Sequence, residues 1–170
     1  MTRRGGVAVG FQFGSNVGDK ADNVLRAARL LAAAGIARDL RVSRLYRTPP
    51  WGGVPQDWFV NACAVGSTTL PAPDLLRRVK AVEVALGRVE TMRWGPRVID
   101  IDILYRGDDV VDTPELTLPH RDVLNRGFVL VPLAELVPDR VIRGVRVAEA
   151  AARADVAGIA VLDAGPGRRA

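Results

Sequence analysis

The chain has 170 residues, 48% of them hydrophobic and 25% charged, a balance typical of one soluble globular domain with a real core. No apolar run approaches the roughly 18 residues that span a bilayer, and "MTRRGG" has no apolar segment behind it, so we expect neither a membrane anchor nor a signal peptide. The net charge of +5 suits polyanions such as nucleic acid or nucleotide phosphates, but the basic residues are spread along the chain and select no partner.

A single cysteine limits both the chemistry and the compartment. Cys63 has no second thiol to pair with, so we expect no internal disulfide and a location in the reducing cytoplasm. The residue lies in the apolar stretch "VNACAV", which favours a small core side chain over a reactive thiol.

The first part of the chain alternates between strand and helix patterns. The first helix has Val24, Ala28 and Leu31 at helical spacing and ends near Gly35, and the second opens on Pro73. Two Gly- and Pro-rich stretches, 49–57 and 88–96, have no core pattern and are expected to be loops. The predicted elements are strands over 7–13, 40–48, 58–68 and 97–106 and helices over 20–35 and 73–87.

The resulting order, β-α-β-β-α-β, is that of the ferredoxin-like fold, an α/β (α+β) arrangement with two helices packed on one face of an antiparallel sheet. The remaining sequence predicts a short hairpin within "GDDVVDTPELTLP" and two closing helices, "FVLVPLAELVP" and "VRVAEAAARA". We therefore expect one domain over residues 1–163, a frayed tail over 164–170, and a monomer.

Two aspartates stand one residue apart in the last predicted strand, in the stretch "RWGPRVIDIDIL". Because side chains alternate along a strand, Ile99, Ile101 and Ile103 are predicted to face the core, and Asp100 and Asp102 to share the other face about 6.5–7 Å apart. Carboxylates at that spacing can hold divalent cations, although a solvated strand face would also explain them. Nearby arginines, whose forked side chains bind phosphate, favour a magnesium–nucleotide site: Arg88, Arg93 and Arg97.

No nucleotide-binding fingerprint is present, because "GSNVGD" lacks the Gly-Lys-Ser/Thr ending of a P-loop and no Rossmann glycine pattern occurs. A lone histidine is more often structural than catalytic, but His120 shares a short stretch with Arg121, Arg126 and Phe128, a set that suits phosphate and an aromatic ring. Tryptophans in or beside the loops favour a lid over a flat ligand: Trp51, Trp58 and Trp94.

Five motifs together make the chain similar to the family of 6-hydroxymethyl-7,8-dihydropterin pyrophosphokinases. The resemblance covers about residues 7–139, and "RWGPR" followed by the two aspartates is its most specific part. It implies the ferredoxin-like fold, transfer of pyrophosphate from ATP to the pterin hydroxymethyl group with release of AMP, in folate synthesis, and two Mg²⁺ ions. In chain order the motifs are "FGSNVGD", "YRTPPWG", "FVNA", "GRVETMRWGPRVIDIDIL" and "LPHRDVLNRGFVLVPLAEL".

The resemblance also implies a role for each site residue. Asp100 and Asp102 would bind the two Mg²⁺ ions, with Asp100 near the attacking hydroxyl, and Arg88 and Arg97 would grip the phosphates and close the site. The implied ATP contacts are His120, Arg121, Arg126, Thr117, Ile103 and Trp94. The implied pterin contacts are Phe59 and Phe128 on the ring faces, and Asn61 with the backbone of Thr48 and Pro49 along its hydrogen-bonding edge.

Two departures from the family pattern lie on the nucleotide side. The loop between Arg88 and Arg93 is one residue shorter than in some relatives and carries Glu90 where a basic residue is common. Arg121 stands where an aromatic residue often follows the histidine. Both changes bear on lid closure and nucleotide affinity, and they leave the aspartates in place.

Two other functions fit parts of this pattern. An RNA-recognition domain also combines a ferredoxin-like sheet with aromatics, but its "K/R-G-F-G-F-V-x-F" run is missing and two aspartates would repel phosphates, so we expect no nucleic-acid partner. A paralogue that binds pterin or nucleotide without turnover would keep the fold, but the intact aspartates and arginines argue against it.

Overall fold

The computed structural model describes residues 5–50, 52–89 and 95–162, which form ten strands and four helices. The strands are β1 (Val7–Ser15), β2 (Arg38–Val42), β3 (Tyr46–Thr48), β4 (Phe59–Thr68), β5 (Asp100–Arg106), β6 (Val111–Asp112), β7 (Thr117–Leu118), β8 (Val141–Ile142), β9 (Val145–Arg146) and β10 (Ala160–Val161). The helices are α1 (Lys20–Ala33), α2 (Ala72–Ala85), α3 (Gly127–Leu136) and α4 (Val147–Arg153). Within these ranges no helix is long and apolar enough to cross a membrane.

Six strands form one antiparallel sheet in the order β10-β3-β4-β1-β5, with β2 also paired to β4. Helix α1 follows β1 and helix α2 follows β4, so the predicted ferredoxin-like order is confirmed. The central strand β1 lies between β4 and β5, which means that residues on three neighbouring strands can share one surface.

The helices α1 and α2 cover one face of the sheet. The carboxylate of Asp19 accepts a hydrogen bond from the Asp22 N–H and caps α1, and a proline in the first turn of α2 has no N–H to leave unpaired. Between the helices and the sheet lie two fully buried rings, Phe11 and Phe13, each contributing roughly 1.5–3 kcal/mol by burial. Helix α2 buries a stripe of four apolar residues at helical spacing: Leu75, Val79, Val82 and Leu86.

The opposite face of the sheet is covered by α3 over part of its length, and α4 packs against α3. There Cys63 lies fully buried beside Val129, and burial raises the pKa of its thiol, so the expectation of a small core side chain is confirmed. A β-bulge in the β1–β5 pairing puts Leu104 and Tyr105 into the same cluster. The Tyr105 ring lies over Gly10, where a Cβ would be 2.5 Å from Cε1, so only glycine fits beneath it.

Several element boundaries differ from the sequence prediction. The strand predicted over 40–48 is two strands, because Ser43 donates its N–H to the Cys63 carbonyl while its Oγ accepts the Cys63 N–H, and the side chain thus replaces a backbone partner. The strand predicted from 97 begins at Asp100, and β1 runs on to Ser15. The hairpin β6–β7 and both closing helices are confirmed, whereas the β8–β9 hairpin and β10 were not predicted.

Candidate active site

Polar side chains of three neighbouring strands share the part of the sheet that α3 leaves uncovered. Gly14 of β1 pairs with Asn61 of β4 on one side and with Asp100 of β5 on the other, and Gln12 pairs with Asp102. Paired residues of adjacent strands point to the same face. Asn61, the gap at Gly14 and Asp100 therefore lie in one row across the sheet, and Gln12 and Asp102 lie in a second row on the same face.

These two rows form the floor of a cleft of about 460 Å³. Its walls come from the end of β3, from α2, from residues 114–122 and from the start of α3. Every described residue to which the family resemblance assigns a role lines the cleft: Thr48, Pro49, Phe59, Asn61, Arg88, Arg97, Asp100, Asp102, Ile103, Thr117, His120, Arg121, Arg126 and Phe128. Trp94, Trp51, Arg93 and Glu90 lie outside the described residues.

Two arginines hold Asp100. Arg88 Nη1 lies 2.9 Å from Asp100 Oδ1, and Arg97 Nη1 lies 3.0 Å from Asp100 Oδ2, so each carboxylate oxygen has its own guanidinium. All three side chains are partly exposed to the cleft, which keeps the arginines within reach of a bound anion. The predicted grouping of arginines with the aspartates is therefore present in the folded chain.

Asp102 is in a less favourable environment than its neighbour. Burial, and then the charge of Asp100, raise the pKa of Asp102 to about 7, although the positive charges of Arg126 and Lys80 oppose the rise. Two carboxylates that repel in this way attract a cation, as the sequence pattern suggested. The solvated strand face considered as the alternative is wrong, because the two carboxylates line a cleft and their side chains are only 18% and 24% exposed.

The histidine is neutral at pH 7. Burial, and then the charge of Arg126, lower the pKa of His120 to about 4. Its Nδ1 accepts the N–H of Asp122 at 3.1 Å, so the proton of the neutral ring is on Nε2. That atom lies 3.7 Å from Asp102 Oδ2, too far for a hydrogen bond and, with a neutral ring, not an ion pair. The Nε2–H group can therefore donate to a phosphate oxygen in the cleft.

Glu83, which the sequence analysis missed, fixes the position of Arg88. This glutamate is 2% exposed and accepts hydrogen bonds from the Ile101 N–H at 2.7 Å and from Arg88 Nη1 at 2.6 Å. Lys80 lies 3.4 Å from the same carboxylate and also lines the cleft. The sequence does indicate that Glu83 is buried, because it stands four residues after Val79 and three before Leu86, on the face that α2 buries.

Asn16, also missed, connects three loops at one end of the cleft. Its Nδ2 donates to Gln56 Oε1 at 2.9 Å, its Oδ1 accepts the Arg97 N–H at 2.9 Å, and its own N–H donates to the Arg97 carbonyl at 3.1 Å. The side chain is 4% exposed. The segment that carries Arg97 is therefore tied to the end of β1 and to the loop before β4.

The expectation that Trp58 belongs to a lid is wrong. Trp58 is partly buried against the main core. Lys20 Nζ lies 3.5 Å from its ring centroid, and Arg47 Cζ lies 4.4 Å from the same centroid. These cations bind the electron-rich ring and leave it outside the residues that line the cleft. The ring therefore fastens β3 and α1 to the start of β4.

Known proteins resemble this chain over most of its length. A model of the family 7,8-dihydro-6-hydroxymethylpterin-pyrophosphokinase (HPPK) matches residues 10–138. The chain is 53% identical over 147 residues to the 2-amino-4-hydroxy-6-hydroxymethyldihydropteridine pyrophosphokinase of Methylorubrum extorquens, covering 86% of this chain and 92% of that protein. It is 40% identical over 126 residues to the same-named protein of Pseudomonas aeruginosa, covering 74% and 78% of the two.

Solved structures of a longer protein share the fold. Plasmodium falciparum HPPK-DHPS, in a crystal structure with pteroate, matches with a TM-score of 0.70 and 14% sequence identity over 90% of this chain. The present chain spans 43% of that solved chain, less than half of its length. The family match rests on the sequence relatives and on the family model, and the chain therefore belongs to the 7,8-dihydro-6-hydroxymethylpterin-pyrophosphokinase family.

Proposed function

We propose that this chain transfers the pyrophosphoryl group of ATP to the hydroxymethyl group of 6-hydroxymethyl-7,8-dihydropterin, releasing AMP, as a step in folate synthesis. The relatives are named for this activity. One observation of the fold carries the proposal for this chain: Gly14 separates Asn61 from Asp100 in register, so the backbones of these two residues lie two strand spacings apart, about 9.5 Å. That distance suits a flat two-ring heterocycle with its edge at Asn61 and its alcohol at Asp100.

The acceptor half of the cleft has the chemistry of a pterin site. Phe59 and Phe128 offer ring faces, and the Asn61 amide and the Thr48–Pro49 backbone offer donors and acceptors for a dense hydrogen-bonding edge. Gly14 leaves the floor open, because a Cβ there would lie 2.8 Å from Asn61 Oδ1 and 3.8 Å from Phe59 Cδ1. A side chain at position 14 would displace the Asn61 amide, which is proposed to bind the pterin edge.

The donor half has the chemistry of a triphosphate site. Arg88, Arg97 and Arg126 line it together with the neutral imidazole of His120, which supplies one N–H donor. Guanidinium forks bind phosphate oxygens with two hydrogen bonds each. The exposed Arg121 adds a further positive charge at the rim.

Mg²⁺ fits the donor set of Asp100 and Asp102. Carboxylate oxygens are the ligands that Mg²⁺ prefers, and a cation between the two would relieve the repulsion that raises the pKa of Asp102. Within 5–50, 52–89 and 95–162 no group of three or more His, Cys, Asp or Glu side chains is arranged to hold a metal. The remaining ligands would be phosphate oxygens and water, as is common for this ion. Bound there, Mg²⁺ would neutralise charge on the triphosphate.

The transfer needs placement and charge neutralisation, and no covalent enzyme intermediate. The pterin hydroxyl attacks the β-phosphorus, a new O–P bond forms, and the hydroxyl proton is released to solvent. The bond from that phosphorus to the AMP oxygen breaks, and its electron pair stays on the AMP phosphate. Asp100 is placed to accept the hydrogen bond of the attacking hydroxyl, which orients an oxygen lone pair towards phosphorus. Arg88 and Arg97 reach the phosphates as charge shifts onto the oxygens, where preorganised donors stabilise the transition state most.

The direct test is AMP formation from ATP, Mg²⁺ and 6-hydroxymethyl-7,8-dihydropterin, followed by chromatography of the nucleotides. We expect AMP and the pterin diphosphate in equal amounts, and no AMP when the pterin is left out. AMP release that ignores the pterin would indicate ATP hydrolysis. Tight binding of both ligands without AMP would identify the non-catalytic paralogue considered above.

A first prediction concerns the pterin wall. Phe128→Ala should weaken pterin binding at least about tenfold, because ring stacking contributes about 0.5–1.5 kcal/mol beyond burial, while ATP affinity stays nearly unchanged. Titration of each ligand separately measures both constants. Leu124→Ala is the matched control, since Leu124 packs in the same apolar cluster but does not line the cleft. Equal weakening of both ligands would make Phe128 a core residue.

A further inference from the structure

A buried glutamine, Gln12, forms hydrogen bonds behind the half of the cleft proposed to bind pterin. Gln12 is 3% exposed and lines the cleft one strand away from Asn61. Its Nε2 donates to the Phe13 carbonyl at 2.8 Å and to Asn61 Oδ1 at 2.6 Å. Both partners are acceptors, so the amide of Gln12 has one orientation: turned over, its oxygen would face two other oxygens.

The orientation of the Gln12 amide determines the orientation of the Asn61 amide. Because Gln12 supplies a donor, Asn61 must present Oδ1 towards β1, and its Nδ2 then donates to Thr48 Oγ1 at 2.5 Å on the β3 side. The asparagine is 3% exposed and held from both sides of β4. Within the described residues, these two bonds leave one N–H of Nδ2 and one acceptor site of Oδ1 unused.

A fixed amide presents a donor and an acceptor side by side in one order. The complementary ligand edge is a ring N–H next to a ring carbonyl, as in a cyclic amide. An edge with the opposite order would set N–H against N–H and oxygen against a ring nitrogen. We propose that Gln12 is a positioning residue that fixes the Asn61 amide in one orientation, and that this makes the site selective for a ring with a cyclic-amide edge. The inference rests on the proposed pterin subsite at Asn61.

Two probes that differ only at this edge test the selectivity. 6-Hydroxymethylpterin has the cyclic amide, whereas 2,4-diamino-6-hydroxymethylpteridine has an amino group in place of the carbonyl and a bare ring nitrogen in place of the N–H. We expect the wild-type protein to prefer the first probe. In Gln12→Met, which keeps the chain length and removes the donor, Asn61 can turn over, and the ratio of the two dissociation constants should fall roughly tenfold, since one buried hydrogen bond sets about that ratio.

Controls separate this role from general loss of structure. Thr68→Val removes a buried hydrogen bond at the far end of β4, where Thr68 Oγ1 donates to the Ile36 carbonyl at 2.8 Å. It should lower the melting temperature as Gln12→Met does, yet leave the probe ratio unchanged. ATP affinity should be unchanged in both variants. If Gln12→Met does not fold, Gln12→Ala removes the same donor without filling its space.

A double-mutant cycle separates the inference from the subsite on which it rests. Asn61→Ala should weaken pterin binding, and Gln12→Met should then add no further loss, because its effect runs through Asn61. If Asn61→Ala leaves pterin binding unchanged, the proposed subsite itself is wrong. If Asn61→Ala weakens binding but Gln12→Met leaves the probe ratio intact, or adds its full effect in the double variant, only the role of Gln12 is overturned.

Discussion

Asp102→Asn should abolish most activity and at the same time stabilise the metal-free protein. Loss of one anionic ligand should lower the rate of AMP formation by about two to three orders of magnitude, the loss typical when one preorganised electrostatic group is removed. Asp100→Asn should lower the rate to a similar extent. Steady-state kinetics at ordinary Mg²⁺ concentrations measure both, with Asp112→Asn, an exposed aspartate of β6, as the control.

The stability of Asp102→Asn follows from the pKa of about 7 in the folded protein. Between about pH 4 and pH 7 the folded chain keeps a proton on Asp102 that the unfolded chain has released, so the free energy of unfolding falls as pH rises. Asparagine carries no such charge. We expect the variant to be more stable than wild type at pH 8 by up to about 4 kcal/mol, and nearly equal to it at pH 4. Denaturant titrations with a chelator present give both values.

Asp100→Asn should change stability in the opposite direction from Asp102→Asn, so the two variants can be compared directly. Its carboxylate holds Arg88 at 2.9 Å and Arg97 at 3.0 Å, and an amide would leave the two guanidinium groups facing each other without their shared anion. This variant should therefore be less stable than wild type at pH 8. If both variants lost activity but shifted stability in the same direction, the two aspartates would not differ in the way that their surroundings indicate. Near-normal activity in either one would refute the metal site.

The local pattern of the chain was sufficient to predict the side of the sheet on which the site lies. The alternation through Ile99, Asp100, Ile101 and Asp102 separates a core face from a cleft face, and the structure keeps that separation. Gln12 follows the same rule, since it stands between two buried phenylalanines of β1 and must face the cleft. What it meets there depends on the register of β1 against β4, which local periodicity does not determine.

The residues that were missed share this dependence on distant pairing. Asn16 acts through loops that are 40 and 81 positions away in sequence, and Ser43 breaks a strand through Cys63, 20 positions away. The bulge beside Gly10 likewise exists only in the pairing of β1 with β5. Periodicity therefore predicted which face each residue occupies, whereas the hydrogen bonds that orient the site residues required the assembled sheet.

Arg97→Ala should slow the chemical step strongly while changing ATP affinity little. Arg97 Nη1 lies 3.0 Å from Asp100 Oδ2, so its guanidinium must exchange that carboxylate for phosphate oxygens when a cation and ATP bind. A group that makes its full contact only as the phosphates react stabilises the transition state more than the ground state. We expect a rate loss of about 10²–10³-fold in single-turnover experiments, as for other preorganised donors. Arg88→Ala should act in the same way.

The two arginines should nevertheless differ in what supports them. Arg88 is also held by buried Glu83, so Glu83→Gln should lower the rate by weakening that support, whereas Arg97 is placed through its backbone by Asn16. Arg77→Ala, an exposed arginine of α2 that pairs with Asp74 away from the cleft, controls for loss of charge. An arginine variant that loses only ATP affinity, with the single-turnover rate unchanged at saturating ligands, would show that this arginine anchors the nucleotide and takes no part in the transfer.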